Sequence, residues 1–244
     1  MVHNHDALRT PTIVFDFDGT LALGHGPVLA FAERIGATLG AEFLARVAEG
    51  LRHYDEGARE FRDGYDIVSS LAVRAGFDAE ALSTAYLDSR ALLADEKTDV
   101  QTMPGLPDFL RTLRSSARTV LATNAPSTGV EKLLARWGAA ELFDELHFAV
   151  GKPAGLTRII ADARERGPVL SIGDIFEYDL APALQLGADT ALIGSPAADP
   201  QLASASVTMR GGSLAELRGE IETWAVTAAS STSAPHGAPH RLER

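Results

Sequence analysis

Four polar residues each stand at or just after the end of a short apolar run that predicts a β-strand: Asp16, Thr123, Lys152 and Asp174. In open α/β sheets, ligands bind beyond the carboxyl ends of the strands, so we expect these side chains to meet at one edge. The chain has only three Lys, and a compact ammonium that holds a phosphate is hard to replace by Arg. Two carboxylates, a hydroxyl and a scarce Lys at one edge predict a phosphate-handling site.

These residue types indicate phosphoryl transfer. A carboxylate with an ordinary pKa of ~3.9 is ionised at neutral pH, so Asp16 is expected to attack phosphorus without a base. A divalent cation held by Asp16 and Asp174 would offset the repulsion between two anions, and oxygen ligands select a hard ion such as Mg²⁺. Lys152 and the Thr123 hydroxyl could hold the remaining phosphoryl oxygens.

Asp18 stands two residues after the expected nucleophile and is close enough to exchange protons with the reacting oxygens. It could protonate the leaving alkoxide and later deprotonate the attacking water. Gly19 follows it, and a residue without Cβ lets the backbone approach a phosphate closely. The segment therefore predicts a nucleophile and an acid/base in one turn.

The elements that must position these residues fall into two patterns. Residues 27–94 carry apolar residues at helical spacing and predict about four amphipathic helices. From residue 99 onward, strands and helices alternate, which predicts a parallel, doubly wound sheet in an α/β fold. We therefore predict a Rossmann-like core of residues 1–23 and 99–226, an inserted α-helical domain of residues 24–98, and a disordered tail of residues 227–244.

Composition narrows the functional classes. The formal net charge of -11 argues against a nucleic-acid-binding surface, since phosphate backbones are held by Lys and Arg clusters. The chain has no Cys, which excludes disulfides and thiolate metal sites. Without a targeting signal or an apolar run of ~18 residues, a cytoplasmic protein that does not enter membranes is expected. A monomer and a homodimer both stay open.

Four motifs together resemble the haloacid dehalogenase superfamily. They occur in the expected order, each after a predicted strand, and the similarity spans about residues 12–217. The departure is Ala154-Gly155 after Lys152-Pro153, where relatives often carry Asp-Pro. The motifs are Asp16-Phe17-Asp18-Gly19-Thr20, Leu121-Ala122-Thr123-Asn124, Gly151-Lys152-Pro153, and Gly173-Asp174 with Asp179.

The resemblance implies a role for each matching position. Asp16 would be the nucleophile and Asp18 the general acid/base, while Thr123, the Asn124 backbone and Lys152 would bind phosphate. The metal ligands would be the Asp16 carboxylate, the Asp18 backbone carbonyl and Asp174. Asp179 would orient metal-bound water or Lys152. The inserted helices resemble the helical (C1-type) cap of this superfamily.

The resemblance favours a Mg²⁺-dependent hydrolase of a small phosphorylated metabolite that forms an aspartyl phosphate. Dehalogenating relatives usually lack the second Asp, and phosphonate-cleaving relatives need a Lys in the cap, where residues 24–96 have none. A phosphomutase of the β-phosphoglucomutase type stays open, as does a non-catalytic phosphate-binding module. The leaving group cannot be inferred from the sequence.

Simpler interpretations stay open for some residues. Thr123 and Asn124 could merely cap the following helix, and Asp179 could cap the helix that begins near Leu180. His25 lies between two Gly residues at the expected hinge and could touch substrate or lie on the surface. Other residues of the inserted helices that could face the site are His53, Tyr54, Arg62 and Tyr65.

Overall fold

Six parallel strands form one sheet in the order β3-β2-β1-β4-β5-β6. The computed structural model describes residues 10–95, 97–202 and 205–233. The strands are β1 (Thr12–Phe15), β2 (Arg118–Ala122), β3 (Glu145–His147), β4 (Val169–Gly173), β5 (Asp189–Ile193) and β6 (Met209–Gly211).

Nine α-helices accompany the sheet in the described ranges, together with short 3₁₀ turns and a π turn at Phe176–Leu180. They are α1 (Gly26–Leu39), α2 (Ala41–Asp55), α3 (Gly64–Arg74), α4 (Ala79–Ala91), α5 (Leu106–Arg114), α6 (Ser127–Arg136), α7 (Ala154–Arg166), α8 (Ala181–Gln185) and α9 (Leu214–Ser233).

Both faces of the sheet are covered, which explains why its strands are apolar on both sides. Successive side chains of a strand point to opposite faces. Ile13 and Phe15 of β1 pack in a core with α5, α6 and α9, whereas Val14 packs in a second core with α7 and α8. Strand order and layers confirm the predicted α/β, doubly wound fold class with inserted helices.

Helices α1 to α4 lie between β1 and β2 in the chain and have a hydrophobic core of their own. Phe31, Val47, Ile67 and Val68, from α1, α2 and α3, are each at most 2% exposed in that core. We call these four helices the bundle. The two chain segments that join it to the sheet run side by side, because Leu23 and Gln101 exchange two backbone hydrogen bonds of 2.8 and 3.0 Å.

The last helix differs from the sequence-based prediction. Disorder is predicted from residue 227, whereas α9 continues to Ser233. Ala225 and Ala228 are buried, and the Ser230 and Ser231 hydroxyls each donate to the backbone carbonyl four residues earlier, at 2.9 Å. Small side chains that pack and hydroxyls that bond to their own helix keep this segment helical. Residues 234–244 of the predicted tail lie outside the described ranges.

Two strands are also displaced from their predicted positions. The third strand is predicted near residues 146–150 and forms at Glu145–His147, and the last is predicted near residues 206–209 and forms at Met209–Gly211. Within the described ranges, no helix is long and apolar enough to cross a membrane.

Candidate active site

The predicted site residues meet at the carboxyl edge of the sheet. Phe15, the last residue of β1, pairs in register with Leu121 of β2 and Ile172 of β4. Asp16 therefore lies between the ends of the two neighbouring strands, from which Thr123 and Asp174 follow. Its backbone N–H donates to the Ile172 carbonyl at 2.9 Å, which fixes the start of the loop.

Lys152 is a buried cation between two carboxylates. Its side chain is 3% exposed, and Nζ donates to Asp16 Oδ1 at 2.5 Å and to Asp179 Oδ1 at 2.7 Å. Burial alone would lower the pKa of Lys152, but the charges of Asp16 and Asp179 outweigh burial and raise it. The ammonium is therefore charged throughout the physiological range and points at the expected nucleophile.

Carboxylates outnumber cations around Asp16. Oxygen atoms of Asp16, Asp174 and Asp179 lie within 4.8 Å of one another. Burial is the largest effect on Asp16 and raises its pKa to about 7, although the charge of Lys152 opposes this. Burial, with the charges of Asp16 and Asp179, raises the pKa of Asp174 well above its ordinary value. In the absence of a cation, the pKa of Asp16 therefore differs from the ordinary value that was expected from the sequence.

The donor set fits a hard divalent cation. Asp174 Oδ1 is buried and has no hydrogen-bond partner among the described residues, as expected of a ligand atom. Asp179 is different: Oδ1 accepts from Lys152 and Oδ2 accepts from the Ile175 backbone N–H at 3.0 Å. Its oxygens are already used, so its position suits the predicted supporting role rather than direct ligation.

Thr123 and Asn124 shape the phosphate side of the site. Thr123 Oγ1 accepts from the Ala125 backbone N–H at 3.0 Å, and Asn124 Oδ1 accepts from the Lys152 backbone N–H at 2.8 Å. Neither caps α6, whose N-cap residue is Pro126. The Asn124 side chain ties the second loop to the third and so helps to place Lys152.

Asp179 does not cap a helix either. The N-cap residue of α8 is Leu180, without a side-chain hydrogen bond, and Asp179 lies in the π turn before it. A Cβ on Gly173 would lie 2.3 Å from Cβ of Asp179. The absence of a side chain at Gly173 thus lets Asp179 reach Lys152.

Asp18 turns toward the bundle. Its Oδ1 accepts from Arg90 Nη1 at 2.8 Å and from the Tyr65 hydroxyl at 3.2 Å. Sequence reasoning named Tyr65 as a residue that could face the site but missed Arg90. In the sequence, Arg90 is a charged residue among the apolar positions of α4. Charged residues are usually exposed to solvent, so this pattern does not indicate a buried Arg.

A cleft of about 750 Å³ lies between the bundle and the carboxyl edge of the sheet. Of the residues of the inserted segment that were named from the sequence, Tyr54, Arg62 and Tyr65 line it, as does His25. His25 Nε2 also pairs with Asp55 Oδ2 at 2.9 Å. His53 does not line the cleft and contacts Arg52 on the surface instead. Asp16, Asp18 and Lys152 line this same cleft.

A family comparison identifies the relatives of this chain. The model of the haloacid dehalogenase-like hydrolases matches residues 10–187, which is more than half of the chain. A comparison with curated protein sequences returned no match.

Solved structures resemble the chain over most of its length. YfnB from Bacillus subtilis, bound to magnesium, is 19% identical with a TM-score of 0.60, and the match covers 87% of this chain and 99% of that one. A HAD phosphatase from Thermococcus onnurineus is 19% identical with a TM-score of 0.52, and the match covers 87% of this chain and 98% of that one. An L-2-haloacid dehalogenase is 17% identical with a TM-score of 0.57, and the match covers 87% of this chain and 99% of that one. At these identities the likeness shows the fold alone.

Proposed function

The chain belongs to the haloacid dehalogenase-like hydrolases, and from this premise we propose that it hydrolyses phosphomonoesters of small metabolites with Asp16 as the nucleophile. The observation that carries the proposal is the 2.5 Å contact between Asp16 and the buried Lys152, with Asp18 two residues away beside the same cleft. In the proposed reaction, a nucleophile, a fixed positive charge and a second carboxyl group would surround the phosphorus atom.

Asp16, Asp174 and the Asp18 backbone carbonyl would hold Mg²⁺, which when bound would neutralise phosphoryl charge and favour the ionised form of Asp16. The free Oδ1 of Asp174 and the elevated pKa of Asp16 support this assignment, because a cation relieves both. The charge of Lys152 offsets burial only in part, because the pKa of Asp16 stays raised at about 7.

In the first displacement, an Asp16 carboxylate oxygen attacks phosphorus while the bond from phosphorus to the ester oxygen breaks. Asp18, in its protonated form, donates a proton to the departing oxygen, so that the products are an aspartyl phosphate on Asp16 and an alcohol. The Lys152 ammonium, fixed by Asp179, stabilises charge on the phosphoryl oxygens without reorganising.

In the second displacement, water attacks the same phosphorus and gives a proton to Asp18, now ionised. The bond between Asp16 and phosphorus breaks, so that both carboxylates return to their starting states and inorganic phosphate leaves. Backbone N–H groups of the first loop and of Asn124, with the Thr123 hydroxyl, would hold the phosphoryl oxygens during both steps.

The presence of Asp18 separates this reaction from dehalogenation. A halide departs as a stable anion without a proton, whereas an alkoxide needs an acid. Asp18 lines the cleft with its side chain 25% exposed, and is therefore accessible to a leaving group. A protonatable carboxyl group at this position favours an ester of phosphoric acid as the substrate.

Phosphate release from a panel of phosphomonoesters, with Mg²⁺ and with EDTA, tests the proposal. We expect Mg²⁺-dependent release that is lost in Asp16→Asn. Conversion of glucose 1-phosphate to glucose 6-phosphate without release would identify a mutase instead. Binding of phosphate esters without any turnover would identify a non-catalytic module.

A further inference from the structure

Arg90 is a cation enclosed at the junction of the bundle and the catalytic loop. Its side chain, at the end of α4, is 1% exposed and is the largest fully buried side chain in the described residues. A buried guanidinium is costly unless it is paired. Nη1 donates to Asp18 Oδ1 at 2.8 Å and to the Tyr65 hydroxyl at 2.5 Å. Asp18, on the opposite side of the cleft, is thus its carboxylate partner.

Tyr65 of α3 contacts both Arg90 and Asp18 Oδ1, so the three side chains form one hydrogen-bonded group. Its hydroxyl accepts from Arg90 and donates to Asp18 Oδ1 at 3.2 Å. Burial, together with the charge of Asp18, raises the pKa of Tyr65 well above its ordinary value, so the hydroxyl keeps its proton. Asp18 Oδ1 therefore faces two donors at once.

The direction of these hydrogen bonds determines where Asp18 can carry a proton. A guanidinium has donors only and no acceptor. A proton on Asp18 Oδ1 would oppose the hydrogen bond that this oxygen accepts from Arg90 Nη1. Oδ2 has no hydrogen-bond partner in the described part of the chain, so it is the oxygen that can carry a proton without opposing Arg90.

Aromatic rings fix the guanidinium itself. Its central carbon lies 5.9 Å from the ring of Phe17, 5.8 Å from Tyr65 and 5.9 Å from Tyr86. Phe17 stands between the two catalytic carboxylates in the chain, whereas the two Tyr belong to the bundle. Cation–π contacts on both sides hold Arg90 in register with the loop that carries Asp18.

We propose that Arg90 and Tyr65 are positioning residues that hold Asp18 by Oδ1, so that Oδ2 alone exchanges the proton with the leaving oxygen and with water. The inference rests on the proposed function, in which Asp18 is the acid/base. In the first step the Oδ2 proton moves to the departing ester oxygen as its bond to phosphorus breaks, and in the second step Oδ2 takes a proton from water.

The test compares two leaving groups. The 4-nitrophenolate of 4-nitrophenyl phosphate departs without a proton, whereas the alkoxide of an alkyl phosphate from the panel needs one. In Tyr65→Phe and Arg90→Met we expect the burst of 4-nitrophenol to stay within about threefold of wild type. Single-turnover cleavage of the alkyl phosphate should fall by about 10-fold in Tyr65→Phe and about 100-fold in Arg90→Met, the scale of a misplaced acid/base.

Two controls isolate the route through Asp18. Arg59→Met removes an Arg of the segment between α2 and α3, which contacts Asp199 at 3.6 Å and lies over Tyr54 at 5.0 Å but does not touch Asp18. It should leave the ratio of the two rates unchanged. In an Asp18→Asn background, Tyr65→Phe should cost less than about twofold, because groups that act through one another are not additive.

The outcomes separate the inference from its premise. Equal losses with both leaving groups, or a full Tyr65→Phe loss in the Asp18→Asn background, would overturn the positioning role. Tyr65→Phe alone decides the matter where Arg90→Met does not fold, because it deletes one hydroxyl and no charge. A wild-type protein that releases no phosphate from any ester would instead overturn the proposed function.

Discussion

Replacement of Asp16 by Asn in the metal-free protein should change how stability depends on pH. Asn keeps the shape of Asp but cannot titrate. In the folded protein, burial raises the pKa of Asp16 to about 7, whereas the unfolded chain has the ordinary value of 3.8. The side chain is 11% exposed, so water screens this effect only weakly.

The sign of the effect follows from proton linkage. Between about pH 4 and pH 7, folded Asp16 holds a proton that the unfolded chain has released, so the free energy of unfolding falls as pH rises. Each pH unit in this range lowers the free energy of unfolding by ~1.4 kcal/mol. Between pH 4 and pH 7 this carboxyl group therefore lowers it by about 4 kcal/mol. Above pH 7 the loss is complete and constant.

Urea unfolding of wild type and Asp16→Asn in EDTA, from pH 4.5 to 8, measures this difference. We expect the variant to gain stability relative to wild type by about 2 to 4 kcal/mol across that range, because Asn is spared the cost of ionisation. Two results would refute the account. The difference in the free energy of unfolding between the two proteins could be independent of pH, or the wild type could become more stable relative to the variant as pH rises. Either result would mean that Lys152 outweighs burial and holds Asp16 ionised.

Three further predictions concern the neighbours of Asp16. Lys152→Met should lower the free energy of unfolding by about 3 kcal/mol at pH 8 in urea titrations, and by less at pH 5, because it leaves buried carboxylates unpaired until they bind protons. Mg²⁺ should raise the melting temperature, with about 2.7 kcal/mol of stabilisation at a concentration 100 times the Kd, measured by calorimetry. Gly19→Ala should weaken Mg²⁺ binding in isothermal titration, because the new Cβ would lie 2.2 Å from Asp174 Oδ2.

Each of these has a matched control in the chain. Lys132→Met removes an exposed Lys and should leave stability nearly unchanged. Asp174→Asn should abolish the Mg²⁺-induced shift, and an undiminished shift would place the cation elsewhere. Gly40 has nearly the same φ as Gly19, +82° against +79°, but among the described residues no atom beyond Gly40 and its sequence neighbours lies within 4 Å of its Cβ position. Gly40→Ala therefore measures backbone strain alone, and an equal effect on Mg²⁺ binding would contradict the clash.

The residues at the carboxyl edge of the sheet could be predicted because strand ends are marked by short local sequence patterns. An apolar run followed by a polar residue marks a strand end, and parallel strands bring their ends together. Asp16, Thr123 and Asp174 needed nothing more than this rule. Lys152 needed only its scarcity and its place after the third run.

The contacts across the cleft could not be predicted in the same way. Arg90 reaches Asp18 from the far end of α4 because the bundle folds back over the edge of the sheet, and helical spacing within α4 does not reveal this. The pKa of Asp16 depends likewise on the depth at which the loop is buried. Both depend on tertiary packing of segments that are distant in sequence.

The end of α9 illustrates a different limit. The Ser- and Ala-rich composition after residue 226 indicates a solvated tail, yet buried Ala228 and hydroxyls that bond within the helix extend it to Ser233. Helices whose stability comes from packing end where the packing ends, which composition alone does not show.

Mass spectrometry of the acid-quenched enzyme tests the central claim most directly. Asp18→Asn mixed with 4-nitrophenyl phosphate and Mg²⁺ should accumulate one phosphoryl group, because the first step needs no acid and the second lacks its base. Peptide mapping should place that group on Asp16, and Asp16→Asn should show neither the adduct nor turnover. Phosphate release by the wild type at normal rates, with no adduct in Asp18→Asn and with Asp16→Asn still active, would contradict the nucleophilic role of Asp16.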